Sequence, residues 1–125
     1  MSDHFRQKLL SEWTKARPII ERAVRYGKYS IEELDEKVLG MKWALWRGDN
    51  SAILTEQWDD DFGPVMTVCY AAGDMDECLR MYDTIEEAAR CMGCHKMYIL
   101  GRPGWKRVME TRGFSDENMI SKELR

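Results

Sequence analysis

The segment Cys91-Met-Gly-Cys94-His95 has the residue types of a metal or haem site. The Cys-x-x-Cys-His spacing is typical of sites where c-type haem is attached. The same thiols and imidazole could bind zinc if Cys78 or Cys69 supplied the fourth ligand. Haem attachment follows export, and the N-terminus has no apolar signal segment. A strong zinc signal needs a second Cys-x-x-Cys pair, which the sequence lacks. We therefore expect no metal and no cofactor, and thiols that are free and partly buried.

Two further short motifs are interpreted as turns. Asp59-Asp60-Asp61 could hold a cation weakly, but it lacks the spacing and the distal glutamate of an EF-hand. Arg47-Gly-Asp49 has the form of an integrin-type tripeptide, and a hairpin turn accounts for it fully. Neither motif predicts a binding site.

Charge is distributed unevenly along the 125 residues, whose net charge is −3. Residues 1–28 carry seven Lys or Arg against three Asp or Glu, and the remainder carries 12 against 19. The basic end could contact an acidic protein or nucleic acid. A content of 44% hydrophobic residues argues against a disordered chain. No apolar run approaches the roughly 18 residues of a membrane span, so we expect a protein that stays in a reducing cytoplasm.

Apolar residues at steps of three and four predict a helix over residues 4–26, which Pro18 should kink or divide. A separate face of this helix carries basic residues at heptad-like spacing. This basic stripe is either a solvated face or a docking surface, and it consists of Lys8, Lys15, Arg22 and Arg25. We therefore divide the chain into a basic N-terminal helical segment, residues 1–29, packed on the core, and a domain at 30–125.

The domain at 30–125 is predicted to be α+β. Ser30 and Glu33 form a capping box for a helix that reaches Leu39 and stops at Gly40. An antiparallel meander follows, then a helix, a strand, a short helix and a closing strand. The predicted segments are strands 42–47, 52–58 and 64–72, helix 75–92, strand 96–100, turn 101–104, helix 105–111 and strand 118–124.

This order of elements resembles the GNAT acyltransferase fold over about residues 30–124. The helix end Ala89-x-x-x-Gly93 and the terminal Gly113-Phe114 are similar to GNAT proteins as well. Residues 40–46, 72–74 and 101–105 resemble small GNAT-like proteins of phages more narrowly, among them internal virion proteins of podophages. The resemblance implies a mixed sheet, but a fold alone does not assign an activity.

For an active GNAT enzyme, the resemblance implies a glycine-rich loop that binds the pyrophosphate of coenzyme A at a helix start. That loop would fall at Asp74-Met-Asp76-Glu77-Cys78, where acidic residues stand instead of glycines. Asp76 is expected to cap the helix, and the three carboxylates satisfy its positive end. Two like charges about 4 Å apart repel by roughly 4 kcal/mol at an effective dielectric of about 20. We therefore expect these residues to exclude coenzyme A.

The resemblance also implies a general acid, a tyrosine placed four residues before the glycine of Gly113-Phe114. Met109 stands there and has no proton to donate. A base on the meander could be Glu56, which is a site residue only if the chain is an acyltransferase.

Two functions follow as hypotheses. In the first, the chain is a non-catalytic GNAT-fold phage protein that acts by protein contacts, as a virion component or a factor in assembly or DNA delivery. Its partners would be other phage proteins or a second copy, with nucleic-acid contact less favoured because the body is acidic, and it would lie in the host cytoplasm or the virion. In the second, it is a divergent acyl-CoA-dependent N-acyltransferase with Glu56 as base.

Overall fold

The computed structural model describes residues 3–100, 103–115 and 120–124. Within these residues, five strands form one sheet in the order β1-β2-β3-β4-β5. The pair β3–β4 is parallel, and the other neighbouring pairs are antiparallel. The strands are β1 (Ala44–Arg47), β2 (Ser51–Asp60), β3 (Gly63–Gly73), β4 (Lys96–Ile99) and β5 (Ile120–Glu123). The helices are α1 (Asp3–Glu21), α2 (Ile31–Leu39), α3 (Met75–Cys91) and α4 (Pro103–Glu110).

This architecture confirms the predicted α+β fold, with a mixed sheet, an antiparallel meander β1–β3 and N-terminal helices. Two predicted elements fall partly outside the described residues. These are the turn at 101–104, through Gly101 and Arg102, and the strand at 118–124, through Asn118 and Met119. None of the helices in the described ranges is long and apolar enough to cross a membrane.

Side chains alternate between the two faces of the sheet along each strand. Both faces bury apolar residues here, and helices cover both. Ile53 belongs to the core under α3 and α4, whereas its neighbours Ala52 and Leu54 belong to the core under α1 and α2. The α3 face also buries Met97 and Met109 completely.

The N-terminal helix is shorter than the sequence predicts. α1 continues through Pro18 and ends at Glu21, so that Arg22 lies beyond it and Arg25 lies in a separate 3-10 turn at Val24–Tyr26. The prediction of one helix over residues 4–26, divided or kinked at the proline, is therefore wrong at its C-terminal end. The division of the chain at residue 30 stays a prediction.

Asp35 joins α2 to α1. Its carboxylate accepts hydrogen bonds from Trp13 Nε1 at 2.7 Å and from Arg17 Nε and Nη2 at 2.8 and 3.0 Å. The hydrogen bond from Arg17 is the main reason why the pKa of Asp35 lies below its usual value. The predicted capping box of α2 is confirmed, since Ser30 and Glu33 exchange side-chain-to-backbone hydrogen bonds.

Strand β3 contains a bulge that the sequence did not reveal. Leu54 pairs with Tyr70 and Thr55 pairs with Val68, so Cys69 is an extra residue. Both Cys69 and Tyr70 consequently belong to the core on the α1–α2 face. The bulge lies where β3 also leaves β4, because in the described part of the chain these two strands pair over 65–68 and 96–99.

Candidate functional site

A cleft opens between β3 and β4 where the two strands separate. Leu100 N donates the last hydrogen bond between them among the described residues, to Val68 O at 3.0 Å. Beyond it lies a cavity of about 580 Å³. We call this cavity the interstrand cleft. Its walls come from β2, β3, the end of β4, α3, α4 and the turn before α2, and include Tyr29, Trp43, Glu56, Trp58, Val68, Cys69, Tyr70, Ala71, Cys78, Tyr82, Ile99, Leu100 and Trp105.

Glu56, the conditional base of the sequence analysis, lies in the wall of this cleft. It is half-buried on β2 opposite Thr67, and its Oε2 accepts a hydrogen bond from Trp43 Nε1 at 3.1 Å. Cys69 is close to it, and burial together with the charge of Glu56 raises the pKa of the Cys69 thiol to about 12. The thiol is therefore protonated at neutral pH and is not an activated nucleophile.

Two of the tyrosines that line the cleft, Tyr70 and Tyr82, are poor proton donors. Burial raises the pKa of Tyr82, and so does the hydrogen bond that its hydroxyl donates to Glu86 Oε1 at 2.6 Å. Burial also raises the pKa of Tyr70, whose hydroxyl accepts a hydrogen bond from Tyr29 N at 3.4 Å. Met109, at the position where the resemblance implies a general acid, is completely buried in the core under α4.

The start of α3 follows β3 with a single residue between them. That residue, Asp74, is the N-cap and accepts a hydrogen bond from Glu77 N at 2.8 Å. The expectation that Asp76 is the cap is wrong, and Asp76 is instead an exposed residue of the first turn. Gly73 has a φ of 106°, and a Cβ there would collide with the carbonyl oxygen of Asn50. A residue other than glycine would therefore be strained at this junction.

Glu77 bonds to the β1–β2 hairpin. Its carboxylate accepts hydrogen bonds from Asp49 N at 3.1 Å, from Asn50 N at 2.9 Å and from the hydroxyl of Ser51. These bonds, with that of Ser51 the largest cause, lower the pKa of Glu77. Of the three acidic residues predicted at the pyrophosphate position, Asp74 and Asp76 are exposed and Glu77 is half-buried.

The basic stripe is not one helical face. Lys8 and Lys15 lie on α1, and the other two members follow its end. All four side chains are exposed. None of them lines the interstrand cleft, so the structure describes a cleft and a basic surface as separate features.

The cysteine and histidine motif does not form a metal cluster within the described residues. Cys94 is buried and Cys91 is exposed, and both are free thiols, as are Cys69 and Cys78. His95 Nε2 lies 2.8 Å from Asp60 Oδ1, so that the imidazole contacts the β2–β3 turn.

Sequence reasoning identified Glu56 but not the aromatic residues of the cleft walls. Trp43, Trp58 and Tyr70 line the cleft on the α1–α2 face. These three side chains come together at the cleft because of the bulge at Cys69 and because β3 and β4 pair over a short length. Neither feature has a local sequence signal.

The fold was compared with solved structures. The chain is similar to Tetrahymena GCN5, a GNAT acetyltransferase, with a TM-score of 0.69 and 10% sequence identity, over 93% of this chain and 88% of that one. The sequence matches no protein-family model and none of the curated proteins. At this identity the likeness bears on the fold alone. The chain therefore has the GNAT-like α+β fold that the sequence resemblance implied.

Proposed function

We propose that the chain is a non-catalytic GNAT-fold phage protein that acts by contacts with other proteins, as a virion component or a factor in assembly or DNA delivery. The assignment to a phage depends on the short motifs at residues 40–46, 72–74 and 101–105. The absence of catalysis is supported mainly by the start of α3, where an acyl-CoA enzyme needs free backbone N–H groups.

The junction of β3 and α3 is unsuited to a diphosphate. Asp74 already accepts the Glu77 N–H through its side chain and the Cys78 N–H through its carbonyl. A diphosphate near this turn would also meet the exposed carboxylates of Asp74 and Asp76. A repulsion of about 4 kcal/mol per close pair at a dielectric of about 20 is half of the roughly 8 kcal/mol that micromolar affinity represents.

Two of the three tyrosines that line the cleft are poorly suited to act as the general acid. Tyr70 and Tyr82 both have raised pKa values because they are buried. A general acid works best when its pKa is near the operating pH. Met109 cannot donate a proton at all.

Thermal unfolding with acetyl-coenzyme A tests the absence of cofactor binding. At about 1 mM ligand we expect no change in Tm, because a ligand raises Tm only when it binds the folded state. A rise of several degrees would overturn the proposal. Coenzyme A without the acetyl group is the matched control for recognition of the nucleotide alone.

Packaging tests the role in protein contacts. Mass spectrometry of purified particles should find the chain at a reproducible copy number. The charge reversals Lys15→Glu and Arg22→Glu should together lower that number, because they remove exposed charge from the basic stripe. The double variant Lys42→Glu and Arg107→Glu is the matched control, since it makes the same charge change at exposed residues elsewhere. Equal packaging of both double variants would contradict a docking role for the stripe.

The position of Glu56 in the cleft favours one alternative, a divergent acyl-CoA-dependent N-acyltransferase. Its carboxylate has a fixed orientation through Trp43 and faces the space between the strands. This alternative requires acyl transfer to an amine and its loss in Glu56→Gln. Undetectable turnover with a broad amine panel would exclude it.

A further inference from the structure

Within the described residues, part of strand β3 has an unpaired edge in the interior of the sheet. It pairs with β4 up to Val68 and then continues over Cys69–Gly73, where the described part of β4 offers no partner strand. Backbone N–H and C=O groups alternate between the two sides of a strand. Strand β2 forms hydrogen bonds only with the groups of β3 that point toward β2. An unpaired strand edge of this kind can pair with another chain.

We propose that an extended peptide segment of a partner protein binds in the interstrand cleft as an added strand beside Cys69–Gly73, with a basic group near Asp74 and Asp76. This inference rests on the proposed function, because it names how a chain that acts by protein contacts would recognise a partner.

The length of the β3 edge suits an added strand. The five residues Cys69–Gly73 span about 17 Å at roughly 3.3 Å per residue, and the first three of them line the cavity. The side chains of an added strand would alternate between the two faces of the sheet. On the α3 face they would meet Tyr82 and Trp105, and on the α1–α2 face Tyr29 and Trp43. Main-chain hydrogen bonds would supply affinity, and these aromatic walls would supply specificity.

Charge selects a basic peptide over a phosphate ligand. The unpaired edge ends at Gly73, and the exposed carboxylates of Asp74 and Asp76 follow it at the start of α3. The cleft wall adds the carboxylate of Glu56, against the single described cation of Lys28. A lysine, an arginine or a free N-terminal amine would gain from this arrangement, whereas a diphosphate would be repelled.

A peptide selection tests the proposal. The full-length protein would be used to select from a library of random peptides of about ten residues with free N-termini. Selected peptides should carry a run of consecutive apolar residues, because both faces of the added strand would meet aromatic walls. They should also carry a basic group at one end and lack proline in the middle, because proline cannot donate to a strand. Selection of no peptides, or of peptides without this pattern, would overturn the proposal.

A filled cleft provides the matched variant test. Ala71→Phe places a ring in the cleft and should abolish binding of the selected peptides, whereas Ala44→Phe changes an exposed residue of β1 and should not. In the parent protein the peptides should slow hydrogen exchange of the amides at 69–73, a readout that does not depend on how either variant folds. Binding that survives Ala71→Phe without such protection would place the peptides elsewhere and overturn the proposal.

The basic group has its own test. Asp74→Asn combined with Asp76→Asn should weaken binding about three- to tenfold at low salt and less at high salt, because a screened charge pair is lost. Asparagine remains a good N-cap, so α3 should keep its start. Unchanged affinity would contradict the assigned role of the two carboxylates.

Other occupants would give different results. Displacement of the peptides by coenzyme A would identify the cleft as an acyl-donor site and would also overturn the proposed function. A homodimer that Ala71→Phe dissociates would make a second copy the occupant and exclude a separate partner. If acetyl-coenzyme A has no effect and no peptide is selected, only the inference about the cleft fails, and the basic stripe remains the proposed contact surface.

Discussion

The parallel pair β3–β4 consists of a closed half and an open half. In the closed half, 65–68 pair with 96–99, and Val65 and Met97 are completely buried. In the open half, Cys69–Gly73 have no partner in the described part of β4, and Cys69, Tyr70 and Ala71 line the interstrand cleft. The closed half is packed as part of the core, whereas the open half borders the cavity in which we propose that a peptide binds. Ligands of open α/β sheets commonly bind at the carboxyl ends of parallel strands in the same way.

The largest expected difference between the halves is in the free energy of unfolding lost when a side chain is truncated in β4 or just after it. Met97→Ala should lower the free energy of unfolding by about 3 kcal/mol, because it leaves a cavity in the closed core. Leu100→Ala, at the rim of the cleft and 39% exposed, should cost less than about 1 kcal/mol. Urea unfolding measures both values. Similar losses would show that the cleft is packed as tightly as the core.

A pair of enlargements probes the same difference from the opposite direction. Ala52→Phe overpacks a completely buried site and should cost about 1–3 kcal/mol. Ala71→Phe enters existing space in the cleft and should change the stability by less than about 1 kcal/mol. Thermal unfolding of both variants checks this order. A greater loss of stability in Ala71→Phe than in Ala52→Phe would show that the open half is not an empty cleft.

Two carboxylates on the α1–α2 face sharpen the comparison further. Asp35→Asn should cost about 1 kcal/mol, since it weakens the hydrogen bonds to Trp13 and Arg17 in a partly exposed pair. Glu56→Gln should cost less, because an amide oxygen can still accept the bond from Trp43. Denaturant unfolding at neutral pH gives both values.

The contribution of Asp35 should depend on pH. Its folded-state pKa is lowered, so its stabilisation is complete above the unfolded-state pKa of about 3.9 and is lost as the pH falls through the folded-state value. The difference between the parent protein and Asp35→Asn should therefore shrink at acid pH. A difference that stays constant down to about pH 2 would contradict the ionic role of this carboxylate.

Alkylation rates of the thiols test, with the smallest perturbation, whether the bulge in the open half is buried. Near pH 8, Cys69 should react with iodoacetamide at least about 100-fold more slowly than the exposed Cys91, because burial raises its pKa to about 12. Peptide mass spectrometry gives a rate for each site. Comparable rates would show that the open half exposes its bulge to solvent.

Local interactions explain what the sequence could predict. The capping box of Ser30 and Glu33 spans three residues, and the hairpin β1–β2 follows from a short polar turn. The missed features depend on distant partners. The bulge at Cys69 exists only in the register between β2 and β3, and the bond from Asn50 to Glu77 joins residues 27 positions apart. The correct cap, Asp74, differs from the expected one because β3 extends up to it.

The hydrogen bonds of Glu77 limit how this chain could evolve. A phosphate-binding loop at this junction would require glycine or another small residue where the acidic first turn now stands. Any change that removed the carboxylate of Glu77 would also leave the hydroxyl of the completely buried Ser51 without that partner. Mutational routes toward a nucleotide site therefore pass through forms in which α3 is bonded less well to the β1–β2 hairpin, which selection for folding would oppose.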